Sequence, residues 1–377
     1  MKLLILYYFR FLAQLQLQRI KPKIVGVTGS VGKSTACAAI YTILASPGLA
    51  RGRAKYKVHY SEHANSESGI PLDILGLSPN NYSILDWMRL VLLAPISLFR
   101  KTPDYEIYLA EMGIDSPKWP KNMDFLLSIF NKKVDVGVFL NAHLVHSENF
   151  KNLEEIIIEK KKLVNNAINK VIVNEDELAK LNIKDTQVNF WAAKQVAQIF
   201  NIPPSVSEKI LKTNFHLPPG RMTIIPGINE SIILDSSYNA SKSSMLWALE
   251  SLASYKNKRK IALLGDMREL GEYAKQEHEE VAKKALKTAD ETFTVGPLTK
   301  KYFPVEVRNF ENSYEAGLYL KDFIKKDDVI LIKGSQNTIF LETAVEMLMA
   351  HPEDADKLLC RRGDFWEKKR EVWRARV

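Results

Sequence analysis

The sequence predicts an α/β protein: a central P-loop-type domain with a mostly parallel sheet, followed by a Rossmann-like C-terminal α/β domain. Three observations carry that expectation. A chain of 377 residues is long for a single hydrophobic core. Short β-branched apolar runs alternate with helical periodicity, the pattern of a parallel sheet covered on both faces. Leu217-Pro218-Pro219-Gly220-Arg221 then interrupts the alternation with residues that end helices, and a new α/β pattern starts after it. The expected division is an N-terminal apolar helix at 1–20, a central domain at 21–217, a C-terminal domain at 218–350 and a charged tail at 351–377.

In the central domain, Lys23 to Val27 reads as a buried strand, followed by a glycine-rich turn and a helical run from Lys33. Tyr105 to Ala110 reads as a second strand, ending at Glu111. Val134 to Leu140 reads as a third, ending at Asn141-Ala142-His143. Leu153 to Ile168 has helical periodicity, and Val171 to Val173 reads as a fourth strand. Ligands gather at the carboxyl ends of strands in such sheets, and Lys33, Glu111 and His143 stand at or just beyond those ends. In the C-terminal domain, strands are expected at Ser231 to Leu234, Lys260 to Leu264, Glu291 to Val295 and Val329 to Ile332. They end at Asp235, Gly265-Asp266, Gly296 and Lys333-Gly334-Ser335.

Two apolar stretches stand apart. Met1 to Leu17 is apolar and aromatic, broken by Arg10, and shorter than the ~20 residues a spanning helix needs. No small-residue cleavage site follows it, which argues against a signal peptide. Trp87 to Phe99 is strongly apolar and runs into Arg100-Lys101. Each reads as an amphipathic helix, either packed on the body or in peripheral contact with a membrane. The formal charge of +9 suits a nucleotide, a nucleic acid or a membrane surface, and equally a soluble protein with surplus lysine. Only Cys37 and Cys360 are present, which argues against a disulfide scaffold and suits a reducing compartment. No RNA-stacking motif or basic groove is visible, so no nucleic-acid partner is expected.

The chemistry is most concentrated in Thr28-Gly29-Ser30-Val31-Gly32-Lys33-Ser34-Thr35. Glycines let backbone N–H groups turn toward phosphate oxygens, a lysine neutralises them, and Ser34 can ligate Mg²⁺. The strict spacing G-x-x-x-x-G-K-[ST] fails at Val27, whereas the variant T-G-x-x-G-K-[ST]-T is fully met. This loop is expected to hold the triphosphate of ATP. Glu111 could hold Mg²⁺, or be a solvated charge at a strand end. His143 could bind a metal or orient phosphate, or be a helix cap or surface residue. Lys160 sits in Lys160-Lys161-Lys162, which by itself reads as a solvated helix face.

Taken in order, these motifs resemble the Mur ligase family, the ATP-dependent amide-forming enzymes of peptidoglycan precursor synthesis, over roughly residues 21 to 350. Thr28 to Thr35 is similar to the family phosphate loop, Glu111-Met112-Gly113 to its acidic magnesium site and Ala142-His143-Leu144 to its histidine motif. Lys160 falls where the family has a lysine carbamylated by CO₂. Asn189 resembles an asparagine that contacts adenine, and Arg221 in Gly220-Arg221 an arginine that reaches the nucleotide. Asp235-Ser236-Ser237-Tyr238-Asn239-Ala240 is similar to the signature D-D-S-Y-N-A, with Ser236 in place of its second aspartate. Leu264 to Gly271 (LGDMRELG), His278 and Lys333-Gly334-Ser335 resemble the branch that adds D-alanyl-D-alanine.

The resemblance implies an ATP-dependent carboxylate–amine ligase. A carboxylate takes the γ-phosphoryl group, an amine attacks the resulting acyl phosphate, and phosphate leaves. It further implies two Mg²⁺ ions held by Ser34, Glu111, His143 and Lys160 as its carbamate. Lys33, Lys160, His143 and Glu111 carry the catalytic roles. The loop residues Thr28, Gly29, Ser30, Gly32, Lys33, Ser34 and Thr35, with Asn189, Arg221 and Asp235, hold the nucleotide. Arg221 and Asp235 are expected to complete the site on domain closure, which excludes water.

The implied substrates are a peptide-like carboxylate acceptor of cell-wall synthesis and D-alanyl-D-alanine or a similar amine. The implied location is the cytoplasm, at the inner membrane surface if the apolar helices touch lipid. The family's N-terminal domain for the uridine nucleotide has no counterpart before Thr28, so a partner supplying it is one expectation. Asn65 to Pro71 (NSESGIP) resembles the family's substrate-side loop. Two other readings stay open: the same chemistry on a lipid-linked or amino-acid-polymer acceptor, and a nucleotide-binding scaffold without ligation. The Gly265 to Gly271 signature argues against the folate-glutamylating branch.

Overall fold

The computed structural model describes residues 2–46, 56–62, 64–143, 149–174, 187–335 and 339–374. Leu144, which closes the histidine motif, lies outside them. The chain divides into two compact units, Met1–His216 and Leu217–Val377.

In chain order the first unit comprises α1 (Lys2–Ile20), β1 (Lys23–Thr28), α2 (Lys33–Ala45), β2 (Val58–Tyr60), α3 (Gly69–Ile74), α4 (Ile84–Ser97), β3 (Ile107–Glu111), α5 (Met123–Ile129), β4 (Val134–Phe139), α6 (Leu153–Asn165), β5 (Ala167–Ile172), α7 (Val188–Ile199) and α8 (Pro204–Asn214). Its strands form a five-stranded parallel sheet in the order β2-β3-β1-β4-β5. The central strands β1 and β3 are buried on both faces, which is why they read as unbroken apolar runs. One face packs on α2, α7 and α8 through Val25, Val27, Ile40 and Val196. The other packs on α1, α3, α5 and α6 through Ile24, Ala110, Met112 and Leu163.

Two glycines set how closely α6 lies on this sheet. A Cβ at Gly26 of β1 would stand 2.9 Å from Leu163 Cδ1, and one at Gly137 of β4 would stand 3.2 Å from the Leu163 carbonyl. Larger residues would push α6 outward. The fit brings Lys160, one turn before Leu163 on the same helix face, down onto the loop after β1.

Two sequence expectations are corrected here. The helix from Leu153 ends at Asn165 and β5 begins at Ala167, earlier than the strand expected at Val171. The cause is visible in β5 itself, where Ile168, Asn169 and Lys170 are exposed on an edge strand and the apolar alternation is lost. The N-terminal helix is also not amphipathic in the expected sense, because Leu3, Leu4 and Phe11 are exposed.

The second unit comprises β6 (Thr223–Pro226), β7 (Ile232–Ser236), α9 (Lys242–Ala253), β8 (Lys260–Gly265), α10 (Ala274–Thr288), β9 (Glu291–Val295), α11 (Pro297–Tyr302), β10 (Arg308–Phe310), α12 (Ser313–Phe323), β11 (Val329–Lys333), α13 (Glu342–Leu348), α14 (Ala355–Leu358) and α15 (Asp364–Arg374). Its six-stranded sheet runs β10-β9-β8-β11-β7-β6, parallel except for β6. Helices cover both faces, α12 and α13 on one and α9 and α10 on the other. The edge strands β2, β6 and β10 are of three or four residues and were not read from the sequence. No helix among the described residues is long and apolar enough to cross a membrane.

Candidate active site

In the first unit the sheet register places Thr28, Glu111 and Phe139 at one edge, since Val27 pairs with Glu111 and Thr28 with Phe139. Everything that follows hangs from that edge. The loop after β1 enters α2 through Gly32, whose φ of 87° is a left-handed conformation that glycine adopts without strain. Gly32 caps α2 without a side-chain hydrogen bond, and the first turn carries no acidic residue. A helix N-terminus of that kind suits an anion.

Lys33 Nζ donates to the carbonyls of Gly29 at 2.8 Å and Ser30 at 3.3 Å. Ser34 Oγ donates to Glu111 Oε2 at 2.6 Å, and Asn65 Nδ2 donates to Glu111 Oε1 at 3.4 Å. Glu111 is buried, not the solvated strand-end charge the sequence alone allowed. Thr28 Oγ1 donates to the Met112 carbonyl at 3.0 Å, and Gly113 N to the Asn65 carbonyl at 3.0 Å. These bonds tie the acidic motif to the phosphate loop on one side and to the Asn65–Pro71 segment on the other.

Lys160 also departs from the solvated reading. It is only 2% exposed, and its Nζ donates to the Gly29 carbonyl at 3.2 Å, the same oxygen that Lys33 approaches. Burial, with the Lys33 charge beside it, pushes the Lys160 amine down to about 7, against a smaller opposing pull from Asp115. A buried lysine that sheds its proton near neutrality is a nucleophilic amine.

His143 is held through its backbone. Its N–H donates to Ser30 Oγ at 2.9 Å, and Ser30 Oγ donates to its carbonyl at 3.1 Å. Asn189, near the start of α7, stands over the loop: a Cβ at Gly32 would lie 2.5 Å from Asn189 Oδ1.

Asn141 carries a role that its sequence position did not reveal. Its Oδ1 accepts from Ser30 N and Val31 N, both at 3.0 Å, and its Nδ2 donates to the Val31 carbonyl at 3.0 Å. Two loop amides expected to face phosphate are therefore spent on fixing the loop. Anion binding falls to the α2 terminus and Lys33. The available signal was an asparagine just past a strand end facing the loop.

The second unit brings its own cluster together. Register pairs Ile332 with Asp235 and Lys333 with both Ser236 and Leu264. Asp235 is fully buried; its Oδ1 accepts from Ser237 N at 3.0 Å, and its Oδ2 has no hydrogen-bond partner among the described residues. Burial raises its carboxyl above the usual range. Lys333 Nζ donates to Ser236 Oγ at 3.1 Å and the Asn239 carbonyl at 2.8 Å. Burial, then the Arg221 charge, pushes it down to about 7, with Asp235 opposing. The Arg221 guanidinium lies 4.1 Å from the Tyr238 ring centre.

Arg361, in the charged tail, was not singled out by the sequence. It donates to the Ser237 and Tyr238 carbonyls and to Glu342 Oε2 at 2.7 Å, and so clamps the loop after β7. Arg370 donates in turn to the Arg361 carbonyl at 2.7 Å. His278 is structural: its Nε2 accepts from Met267 N at 3.1 Å, while Nδ1–H donates to the Ala274 carbonyl at 2.6 Å. Ser335 N donates to the Asp266 carbonyl at 2.9 Å, and Arg268 N to Ser335 Oγ at 3.1 Å. Along Leu264 to Leu270 only Arg268 and Glu269 are exposed. The backbone there is a fixed platform presenting two charged side chains.

Residues 220–336 match the family described as Mur ligase, glutamate ligase domain. Over 385 aligned residues the chain is 23% identical to a UDP-N-acetylmuramoyl-tripeptide–D-alanyl-D-alanine ligase of Borreliella burgdorferi, covering 88% of this chain and 73% of that one. Among solved structures it is similar to the MurF ligase of Thermotoga maritima in complex with ADP. The TM-score is 0.71 at 21% identity, over 97% of this chain and 84% of that one. It is also similar to a bifunctional folylpolyglutamate synthase/dihydrofolate synthase of Yersinia pestis complexed with AMPPNP and Mn. That TM-score is 0.60 at 16% identity, over 91% of this chain and 92% of that one. The domain match and the Borreliella relative support a Mur ligase, MurF-like kinship, and the two solved structures share the two-sheet α/β fold.

Proposed function

We infer that the protein is an ATP-dependent ligase that joins an amine, D-alanyl-D-alanine or a close analogue, to the carboxylate of a cell-wall peptide precursor. The observation that carries this reading is the cluster at one sheet edge: Lys33 and Lys160 on the Gly29 carbonyl, with Ser34 bonded to Glu111. A loop and a carboxylate suffice to hold Mg²⁺ and phosphate; a buried lysine lowered to about 7 on the same carbonyl is the further feature that this reading uses.

In this reading the Lys33 ammonium leaves its two carbonyl partners for the β- and γ-phosphates, because charge-assisted bonds to phosphate are the stronger. An acceptor carboxylate oxygen attacks the γ-phosphorus and ADP leaves. The amine nitrogen then attacks the acyl carbonyl, loses a proton, and the C–O bond to phosphate breaks. Positioning and charge neutralisation dominate such a step.

The donor set fits magnesium. Ser34 Oγ and Glu111 are hard oxygen donors already in contact. Among the described residues no three His, Cys, Asp or Glu side chains converge, so the protein alone makes no cage. That suits an ion that keeps water and takes phosphate oxygens. When bound, Mg²⁺ supplies neutralisation of the phosphate charge. Lys160 as its carbamate, with His143, would hold a second ion. Asn189 is assigned to the adenine, and Arg221 and Asp235 to the nucleotide. Asn65 to Pro71 is assigned to the acceptor side. A ligase that consumes ATP suits a cytoplasmic location, which is part of the same proposal.

The test is phosphate release from ATP and Mg²⁺ on adding UDP-N-acetylmuramoyl-tripeptide and D-alanyl-D-alanine together. Release that needs both substrates supports the reading. Nucleotide binding with no acceptor-dependent release would leave a scaffold instead.

A further inference from the structure

A surface helix of a soluble body keeps polar residues outward. Helix α4 does not. Every exposed position in it is apolar: Ile84, Leu85, Met88, Leu92 and Ile96, with Phe99 just beyond its end and 90% exposed. At 100° per residue these positions fall within one arc of the helix, so they form a single strip roughly 22 Å long. The opposite face, with Leu90 and Ala94, packs on Phe9 and Leu12 of α1. Tyr8 Oη closes the seam by donating to the Val91 carbonyl at 3.1 Å. On the α1 side, Leu4 and Phe11 are exposed two turns apart on one face.

Unpaired acids are absent from the two helices, and basic charge gathers at one end of the strip. Helix α1 contains no Asp or Glu. The single acid of α4, Asp86, is buried and paired with Arg89 at 2.8 Å. Arg19 donates to the Leu98 and Arg100 carbonyls, so α1 and α4 finish at the same end. There Arg19, Arg100 and Lys101 are exposed together. The first acid after the strip, Asp104, is paired with Lys57.

The geometry points to an anionic phospholipid surface as the occupant of this face, with α4 lying in the interface and the basic end against the headgroups. Neither helix is long and apolar enough to span, so the contact is peripheral. A protein partner would be expected to meet a polar rim around the whole apolar patch, whereas here the exposed charge is gathered at one end. An apolar strip with a basic end is the chemistry of a negatively charged bilayer.

The experiment is co-sedimentation of the full chain with vesicles of phosphatidylglycerol and phosphatidylcholine, and with phosphatidylcholine alone. Binding to the anionic vesicles is expected. It should fall at least tenfold in L92Q/F99Q and roughly tenfold in R100E/K101E. Because all four side chains are exposed, thermal unfolding should not change, which separates lost binding from lost folding. Two results overturn the proposal. One is a monomer that binds neither vesicle. The other is a concentration-dependent dimer, abolished by L92Q/F99Q, with no vesicle binding, which would make a second copy the occupant.

Discussion

Ser34 Oγ donates to Glu111 Oε2 across 2.6 Å, joining the first turn of α2 to the end of β3. The hydroxyl and the carboxylate are thereby held where one hard cation would meet both. Replacing Ser34 by Ala or Glu111 by Gln should each lower turnover at least ~10–100-fold, the scale already seen for losing a group that only supports a metal ligand. The Mg²⁺ concentration for half-maximal activity should rise in both. A fall in turnover with an unchanged Mg²⁺ requirement would take these two residues out of metal binding.

The Asn141 side chain makes three hydrogen bonds to Ser30 and Val31. At ~1 kcal/mol each, their loss in N141A should loosen the loop without unfolding the sheet. The expected result is a fall of about tenfold or more in ATP affinity by calorimetry, with little change in thermal stability. Equal ATP affinity in N141A and the wild type would show that the loop holds its shape without the clamp.

Lys160 meets the chemical condition for carbamylation, which needs an unprotonated amine. With its amine at about 7, a large share is neutral at physiological pH. Incubation with ¹³C-bicarbonate should give a carbamate ¹³C resonance that is absent in Lys160→Ala. Turnover should rise with bicarbonate and fall as pH drops below 7, where the amine is protonated and cannot attack CO₂. A variant lacking the resonance yet keeping full activity would remove the carbamate from the mechanism.

Part of this was legible in the sequence. The phosphate loop is a local pattern, eight residues between a strand and a helix, and Glu111 announces itself as an acid closing an apolar run. Lys160 is different. Which lysine of Lys160-Lys161-Lys162 turns inward depends on α6 settling over Gly26 and Gly137, strands away in sequence. Asn141 depends on meeting a loop some 110 positions earlier. Arg361 acts on carbonyls of the Ser237–Tyr238 loop from beyond the last motif, and no pattern in the tail distinguishes it from the exposed charges around it. Contacts of that separation are set by the folded topology, which local spacing does not encode.

Arg361 and Glu342 form a buried pair at 2.7 Å, with side chains 3% and 1% exposed. Removing one partner strands the other's charge, which typically costs about 3–5 kcal/mol, while replacing both with apolar residues can be neutral. R361M should therefore unfold at a markedly lower urea concentration than the wild type. Buried Arg370 lies 3.9 Å from the other Glu342 oxygen and loses that partner in the double variant, so R361M/E342M should recover only part of the loss. It should not recover turnover, because the Ser237 and Tyr238 carbonyls still lack their clamp. Full recovery of both would make Arg361 a packing residue alone.

Lys333 gives a prediction with a definite sign. Its amine sits at about 7 in the folded protein against 10.5 in an ordinary lysine. Between those values the unfolded chain binds a proton that the folded chain does not, so stability rises with pH. Below about 7 both states are protonated and the slope vanishes; above 10.5 both are neutral and it vanishes again. Within the window the contribution approaches about 1.4 kcal/mol per pH unit. Urea unfolding of the wild type and K333M from pH 7 to 10 should give curves whose difference grows with pH in favour of the wild type. Lys160 and the other titrating groups that do not face Lys333 are common to both proteins and cancel in that difference; Asp235, which does face it, is already ionised alongside Lys333 and belongs to the same window. Parallel curves would mean that Lys333 keeps its proton in the fold and holds Ser236 and Asn239 as an ammonium.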